Sequence, residues 1–93
     1  AVNYHEVLAK LTDHGVDAAE AQMMHVELDI DVMPVDRAQA EIGGTLRSKT
    51  RGSGLSLGDR SCLALALCLS ATAVTADRAW EALDVGVVVE LVR

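Results

Sequence analysis

Leu55-Ser56-Leu57-Gly58-Asp59-Arg60-Ser61-Cys62-Leu63-Ala64-Leu65-Ala66-Leu67-Cys68-Leu69 contains the most apolar run of the chain. From Cys62 to Leu69 every residue is apolar, and no polar face recurs at a period of 3.6. A helix of that kind is a buried one, covered on several sides by other elements. Ser56, followed three residues later by Asp59, has capping-box spacing and predicts a helix start with Ser56 as N-cap. Gly58, Asp59 and Arg60 then stand at the helix mouth. Asp59 therefore has two readings, a structural cap and a functional carboxylate.

Upstream, Ala1-Val2 reads as the tail of a strand, and Asn3 with Glu6 repeats the capping-box spacing. The helix that follows carries Val7, Leu8 and Leu11 as its stripe and ends at Gly15. Asp17 with Glu20 opens a second helix, with Ala21, Met24 and Leu28 on one face, and Met23, Met24 and Val26 are expected in the core. Asp29 to Asp36 alternates around Ile30 and Val32, which predicts a short strand; Pro34 puts it near a sheet edge. Asp36 caps a third helix through about Lys49, with Ala38, Ile42 and Leu46 inward. Gly43-Gly44 within it points to a close packing contact.

Downstream, Ala73-Val74-Thr75-Ala76 is a short apolar run ending at Asp77. Arg78 to Leu83 reads as a helical turn or two, with Trp80 packing down, and β-branched Val87 to Val92 forms the last strand. Strands alternating with helices predict an α/β fold, a short, mostly parallel sheet flanked by helices. The length sets one domain over 1–93, with about 60% or a little more of the unfolded surface buried.

No run reaches the roughly 18 apolar residues of a membrane span, so no membrane partner is expected. Cys62 and Cys68 lie about 9 Å apart along one helix, too far for a disulfide, and read as core thiols of a reduced, cytoplasmic protein. The net charge of -6 opposes a protein that grips nucleic acid by bulk charge alone. Five of the eight bases (Arg47, Lys49, Arg51, Arg60 and Arg78) nevertheless fall in one third of the chain, which allows a local basic patch.

Asp77 follows a strand and opens a helix, the place where ligands bind in open α/β sheets. Glu6 and Asp59 are both expected in first turns of helices, where a carboxylate stays ionised. Brought together, such acids repel by about 4 kcal/mol per pair at about 4 Å and an effective dielectric near 20. An all-carboxylate cluster persists with a hard cation, Mg²⁺ or Mn²⁺.

Three segments in order, Val2-Asn3-Tyr4-His5-Glu6-Val7-Leu8-Ala9-Lys10-Leu11, Gly54-Leu55-Ser56-Leu57-Gly58-Asp59-Arg60 and Val74-Thr75-Ala76-Asp77-Arg78-Ala79-Trp80, resemble the PIN-domain family. The closest likeness is to the VapC-type toxins of bacterial toxin–antitoxin pairs. The resemblance implies a PIN-like three-layer α/β domain. It also implies a Mg²⁺- or Mn²⁺-dependent ribonuclease in which water attacks an RNA phosphodiester. Glu6, Asp59 and Asp77 match the family's acids as catalytic metal ligands, and Thr75 matches a supporting hydroxyl. Arg47, Lys49, Arg51, Arg60 and Arg78 are the candidates for RNA contact. A cognate antitoxin and a homodimer are the implied partners. The family also carries an Asp on a first strand ahead of the Glu6 motif, in an Asp-x-Ser/Thr-Ala setting. Here the chain starts at the second acidic motif, so the expected domain is partial, truncated at its N-terminus.

Other chemistries find little support. His5, His14 and His25 lack zinc-type spacing, and no Gly-x-Ser-x-Gly elbow surrounds Ser53, Ser56 or Ser61. Neither Gly52-Ser53-Gly54 nor Gly43-Gly44 matches a phosphate loop. The alternative to the nuclease is a catalytically impaired PIN fragment serving as an interaction or structural module.

Overall fold

A computed structural model describes residues 1–92. It is α/β, with four α-helices and a short parallel two-stranded sheet. The chain divides into two compact units, one from Ala1 to Val35 and one from Asp36 onward.

The first unit pairs α1 (Val2–Asp13) with α2 (Ala18–Glu27). Between them Gly15 takes φ +86°, a left-handed conformation that glycine adopts without steric cost. Helix α1 begins earlier than the expected Asn3 cap: Ala1 is its N-cap, no side chain caps it, and Val2 is helical, not the tail of a strand. Tyr4 and His25 tie the two helices through a tilted ring contact, centroids 4.4 Å apart. Ala21 is the one buried side chain of α2. Met23, Met24 and Val26, expected in the core, are 62%, 43% and 69% exposed. A ten-residue helix packed on one neighbour buries one narrow face, and small Ala21 occupies it.

The strand expected within Asp29–Asp36 does not form; residues 30–36 are irregular. Its alternation has no partner strand in this unit. Asp29 stands at φ +51°, and Pro34 has no N–H to donate to a ladder. Instead the Ala1 ammonium donates to the Met33 carbonyl at 2.7 Å.

The second unit is built on α3 (Arg37–Thr50), α4 (Leu57–Leu69), β1 (Ala73–Thr75) and β2 (Val89–Leu91). Asp36 caps α3, its carboxylate accepting from the Gln39 N–H at 2.8 Å. The two helices pack together at Gly43, where an added Cβ would lie 3.7 Å from that of Ala64. Leu46, Leu63, Ala64, Ala66, Ala73, Trp80 and Val85 form the core. Helix α4 is buried through Gly58, Leu63, Ala64 and Ala66. It is less covered than its all-apolar run suggests, since Cys68 and Leu69 in its last turn are exposed.

After α4 the chain reverses through Ser70, at φ +51°, and enters β1. Strands β1 and β2 pair in parallel with Ala73 opposite Val89, Val74 opposite Glu90 and Thr75 opposite Leu91. The ladder is closed by Ala73 N–H to the Val88 carbonyl and Val92 N–H to the Thr75 carbonyl, each 2.9 Å. A parallel pair needs a crossover of about a dozen residues. Here the crossover holds a short 3₁₀ helix, Arg78–Ala82, whose Trp80 is buried in the core as its position predicts. No helix among the described residues is long and apolar enough to cross a membrane.

Candidate active site

Asp77 lies just beyond the carboxyl end of β1 and caps the 3₁₀ helix Arg78–Ala82. Its Oδ1 accepts from the Ala79 N–H at 2.9 Å, and its own N–H donates to the Thr75 hydroxyl at 3.1 Å. Strand end, hydroxyl and carboxylate are thus one hydrogen-bonded turn, and Asp77 faces solvent.

Asp59 is the third residue of α4 and closes the capping box expected from the sequence. The Ser56 hydroxyl accepts from the Asp59 N–H at 3.1 Å, and Asp59 Oδ2 accepts from the Ser56 N–H at 3.0 Å. The cap reading of Asp59 is therefore real. It engages one carboxylate oxygen and leaves Oδ1 for another role.

Both acids belong to the second unit, and Asp77 lies at the carboxyl end of the strands, where open α/β sheets bind ligands.

A cleft of about 570 Å³ opens there, lined by Ala76, Arg78, Glu81, Leu91 and Val92. Glu81 is an acid that sequence reasoning passes over. Its spacing of four residues from Asp77 is the signal that could have found it. Trp80, one turn inside, has a buried Nε1 without a hydrogen-bond partner among the described residues.

Glu6 belongs to the first unit. Because α1 starts at Val2, Glu6 is its fifth residue and not in its first turn, contrary to expectation. It is exposed. Among the described residues no group of three or more His, Cys, Asp or Glu side chains is gathered to hold a metal ion. Asp59 at the mouth of α4 and Asp77 beyond β1 offer oxygen donors, and each has one carboxylate oxygen outside its cap. That chemistry fits a hard divalent cation of the kind that uses one or two carboxylates and keeps its waters.

The basic residues divide by surroundings. Arg47, Arg51 and Arg60 line one small cleft, Lys49 lines a groove along α3 with Glu41, and Arg78 shares the strand-end cleft with Glu81. Cys62, on α4, is half-buried; burial pushes its thiol above the ordinary 9.0, and the Asp59 carboxylate adds to the shift.

The profile of the PIN domain matches residues 1–86, all but the last seven positions. No curated protein and no solved structure gives a match. The profile spans all three acidic segments, and the α/β topology with an aspartate beyond a parallel strand agrees with it, so the chain belongs to the PIN-domain family.

Proposed function

We propose that the protein is a metal-dependent endoribonuclease of the VapC type, the toxin of a toxin–antitoxin pair, acting on RNA phosphodiesters in the cytoplasm. PIN membership points to nuclease activity on nucleic acid in general. The observation that supports this reading is Asp77, tied to the Thr75 hydroxyl just beyond the carboxyl end of β1, with a cleft at the strand termini lined by its neighbours Ala76 and Arg78.

Bound Mg²⁺ or Mn²⁺ would polarise the scissile phosphate and lower the pKa of an attacking water. Asp59 would hold the ion through Oδ1, its Oδ2 being fixed by the Ser56 N–H. Asp77 would hold it through the oxygen not engaged by Ala79. Glu6 is the third carboxylate of this reading. Thr75 is a positioning residue, since its hydroxyl anchors the Asp77 backbone. The working form in this reading is a homodimer that also binds an antitoxin. Exposed Val74 and Val88, at 56% and 70%, supply apolar surface for such pairing.

The test is cleavage of a fluorophore-quencher RNA by the 93-residue chain with Mn²⁺, with Mg²⁺ and with EDTA. Loss of cleavage in EDTA and in Asp59→Asn and Asp77→Asn is expected. Cleavage that survives both substitutions overturns the assignment. A second reading, a catalytically silent PIN module that binds a protein partner, is favoured by the same exposed Val74 and Val88. It predicts no divalent-dependent cleavage by the chain.

A further inference from the structure

The acidic chain carries a small basic cleft with no acid in its lining. Arg47 and Thr50 of α3, Arg51 of the 3₁₀ turn that follows, Gly54 and Leu55 of the loop, and Arg60 of α4 enclose about 100 Å³. Three separate elements of the second unit thus direct arginines to one point. Among the described residues the ion pair is Arg37 with Glu41, and none of the three arginines has a carboxylate within ion-pair distance. The other two bases of this region differ, since Lys49 and Arg78 each share a lining with a glutamate.

Arg60 is the built part of the cleft. It is half-buried, and its Nη1 donates to the Leu55 carbonyl at 2.9 Å, which fixes the guanidinium across the loop. Its remaining donors are left for a ligand. Thr50 is buried with its hydroxyl proton on the Leu46 carbonyl, so the donors to a ligand are the arginines. A guanidinium fork matches the oxygens of a phosphate, and three around one point make a strong, charge-assisted anion site. The space equals about three waters at about 30 Å³ each, room for a single oxyanion group.

We infer that Arg47, Arg51 and Arg60 form a subsite for one backbone phosphate of the RNA strand. Asp59 precedes Arg60 directly, so the subsite flanks the acid at the mouth of α4 and would set the register of the strand against it. This deepens the nuclease reading and rests on it for the identity of the ligand. Phosphate contacts position a strand without reading its sequence.

The probe is a 5′-fluorescein-labelled single-stranded RNA 12-mer, with anisotropy measured in EDTA so that binding is read without cleavage. Arg47→Gln with Arg51→Gln alters two exposed side chains and spares Arg60, which the loop needs. Affinity is expected to fall about tenfold, and the salt slope by about 0.7 to 1.4. A charge-matched control, Lys10→Gln with Arg37→Gln, is expected to change affinity less than about twofold. Equal losses in the two pairs, or none in the first, overturn the subsite. Two other results also overturn it: wild-type chain that binds no RNA, and polyglutamate competing as well as RNA at equal salt, which marks a protein-docking patch. Inorganic phosphate titrated against arginine Nε–H signals separates a free-anion site. Shifts at Arg60 with phosphate but not with RNA again exclude an RNA subsite. Failure of the nuclease reading looks different, because Asp59→Asn then leaves cleavage intact while the arginine pair still weakens RNA binding.

Discussion

Ser56 and Asp59 hold each other across the first turn of α4, hydroxyl to backbone N–H at 3.1 Å and carboxylate to backbone N–H at 3.0 Å. The same aspartate is a helix cap and a candidate metal ligand, and the two roles use different oxygens. Nothing forces a choice between them. Only substitutions that separate the roles can weigh them.

Ser56→Ala removes the acceptor for the Asp59 N–H and should cost about 1 kcal/mol of stability, with activity reduced only in proportion to unfolding. Asp59→Asn keeps an amide oxygen that can accept from Ser56, so stability should move by less than about 0.5 kcal/mol. Its divalent-dependent cleavage should fall on the order of a hundredfold. Urea denaturation beside RNA cleavage reads both effects. Equal activity in wild type and Asp59→Asn would leave the carboxylate with its capping role alone.

Thr75 tests the other aspartate. Thr75→Val deletes the acceptor of the Asp77 N–H, a turn bond open to water whose loss should cost about 0.5 to 1 kcal/mol. The aspartate it positions should then lose roughly tenfold or more in metal-dependent activity, the range for groups that orient a ligand. Thr75→Ser keeps the hydroxyl and should restore it. A Val variant as active as Ser would show that the turn holds Asp77 without help.

Some elements announce themselves locally and others do not. The start of α4 was legible because a capping box needs only four consecutive residues, and Asp36 and Asp77 cap their helices by the same short-range chemistry. The parallel pair was legible because an apolar run ending in a polar turn, then a β-branched run, leaves few other folds. The stretch around Ile30 and Val32 misled for the opposite reason. Alternation supports a strand only when a partner takes up its N–H groups, and none is offered in that unit. The start of α1 misled because Asn3 is a good cap by type, yet Ala1 serves without a side-chain bond. For the candidate site, the places of Asp77 and Thr75 at a strand end and turn were readable from local grammar. The five bases were readable as a possible patch, but not that Arg47, Arg51 and Arg60 share a cleft without Lys49 and Arg78, because the three come from separate elements.

Glycines test the packing of the second unit. At Gly43 an added Cβ would meet the Ala64 Cβ at 3.7 Å and the Arg60 carbonyl at 3.9 Å, ordinary contacts. Gly43→Ala should therefore stabilise α3 by about 0.5 to 1 kcal/mol through helix propensity and unfolded-state entropy. Gly86, at φ +81°, is the contrast. Gly86→Ala forces a left-handed alanine and should destabilise by about 1 kcal/mol or more. Thermal melts of the two variants should move in opposite directions. A fall in both would mean that α3 and α4 sit closer than the 3.7 Å contact implies.

The two cysteines should differ in reactivity and in what they do to stability. Cys68 is exposed, while Cys62 is half-buried with its thiol raised by burial first and by Asp59 second. The thiolate is the reactive form, so iodoacetamide at pH 8 should label Cys68 well before Cys62. A raised folded-state value also fixes the sign of the pH effect. The unfolded thiol ionises first as pH rises, so the unfolded state then binds fewer protons and folding weakens. The contribution of Cys62 is full below pH 9.0, its ordinary value, and is lost as pH climbs through the folded one. Other groups titrate in the same range, so the informative quantity is wild type minus Cys62→Ala. Urea midpoints at pH 7, 9 and 10 should show that difference shrinking at the alkaline end. A difference that stays constant across the three would mean that Cys62 ionises as freely in the folded chain as in the unfolded one.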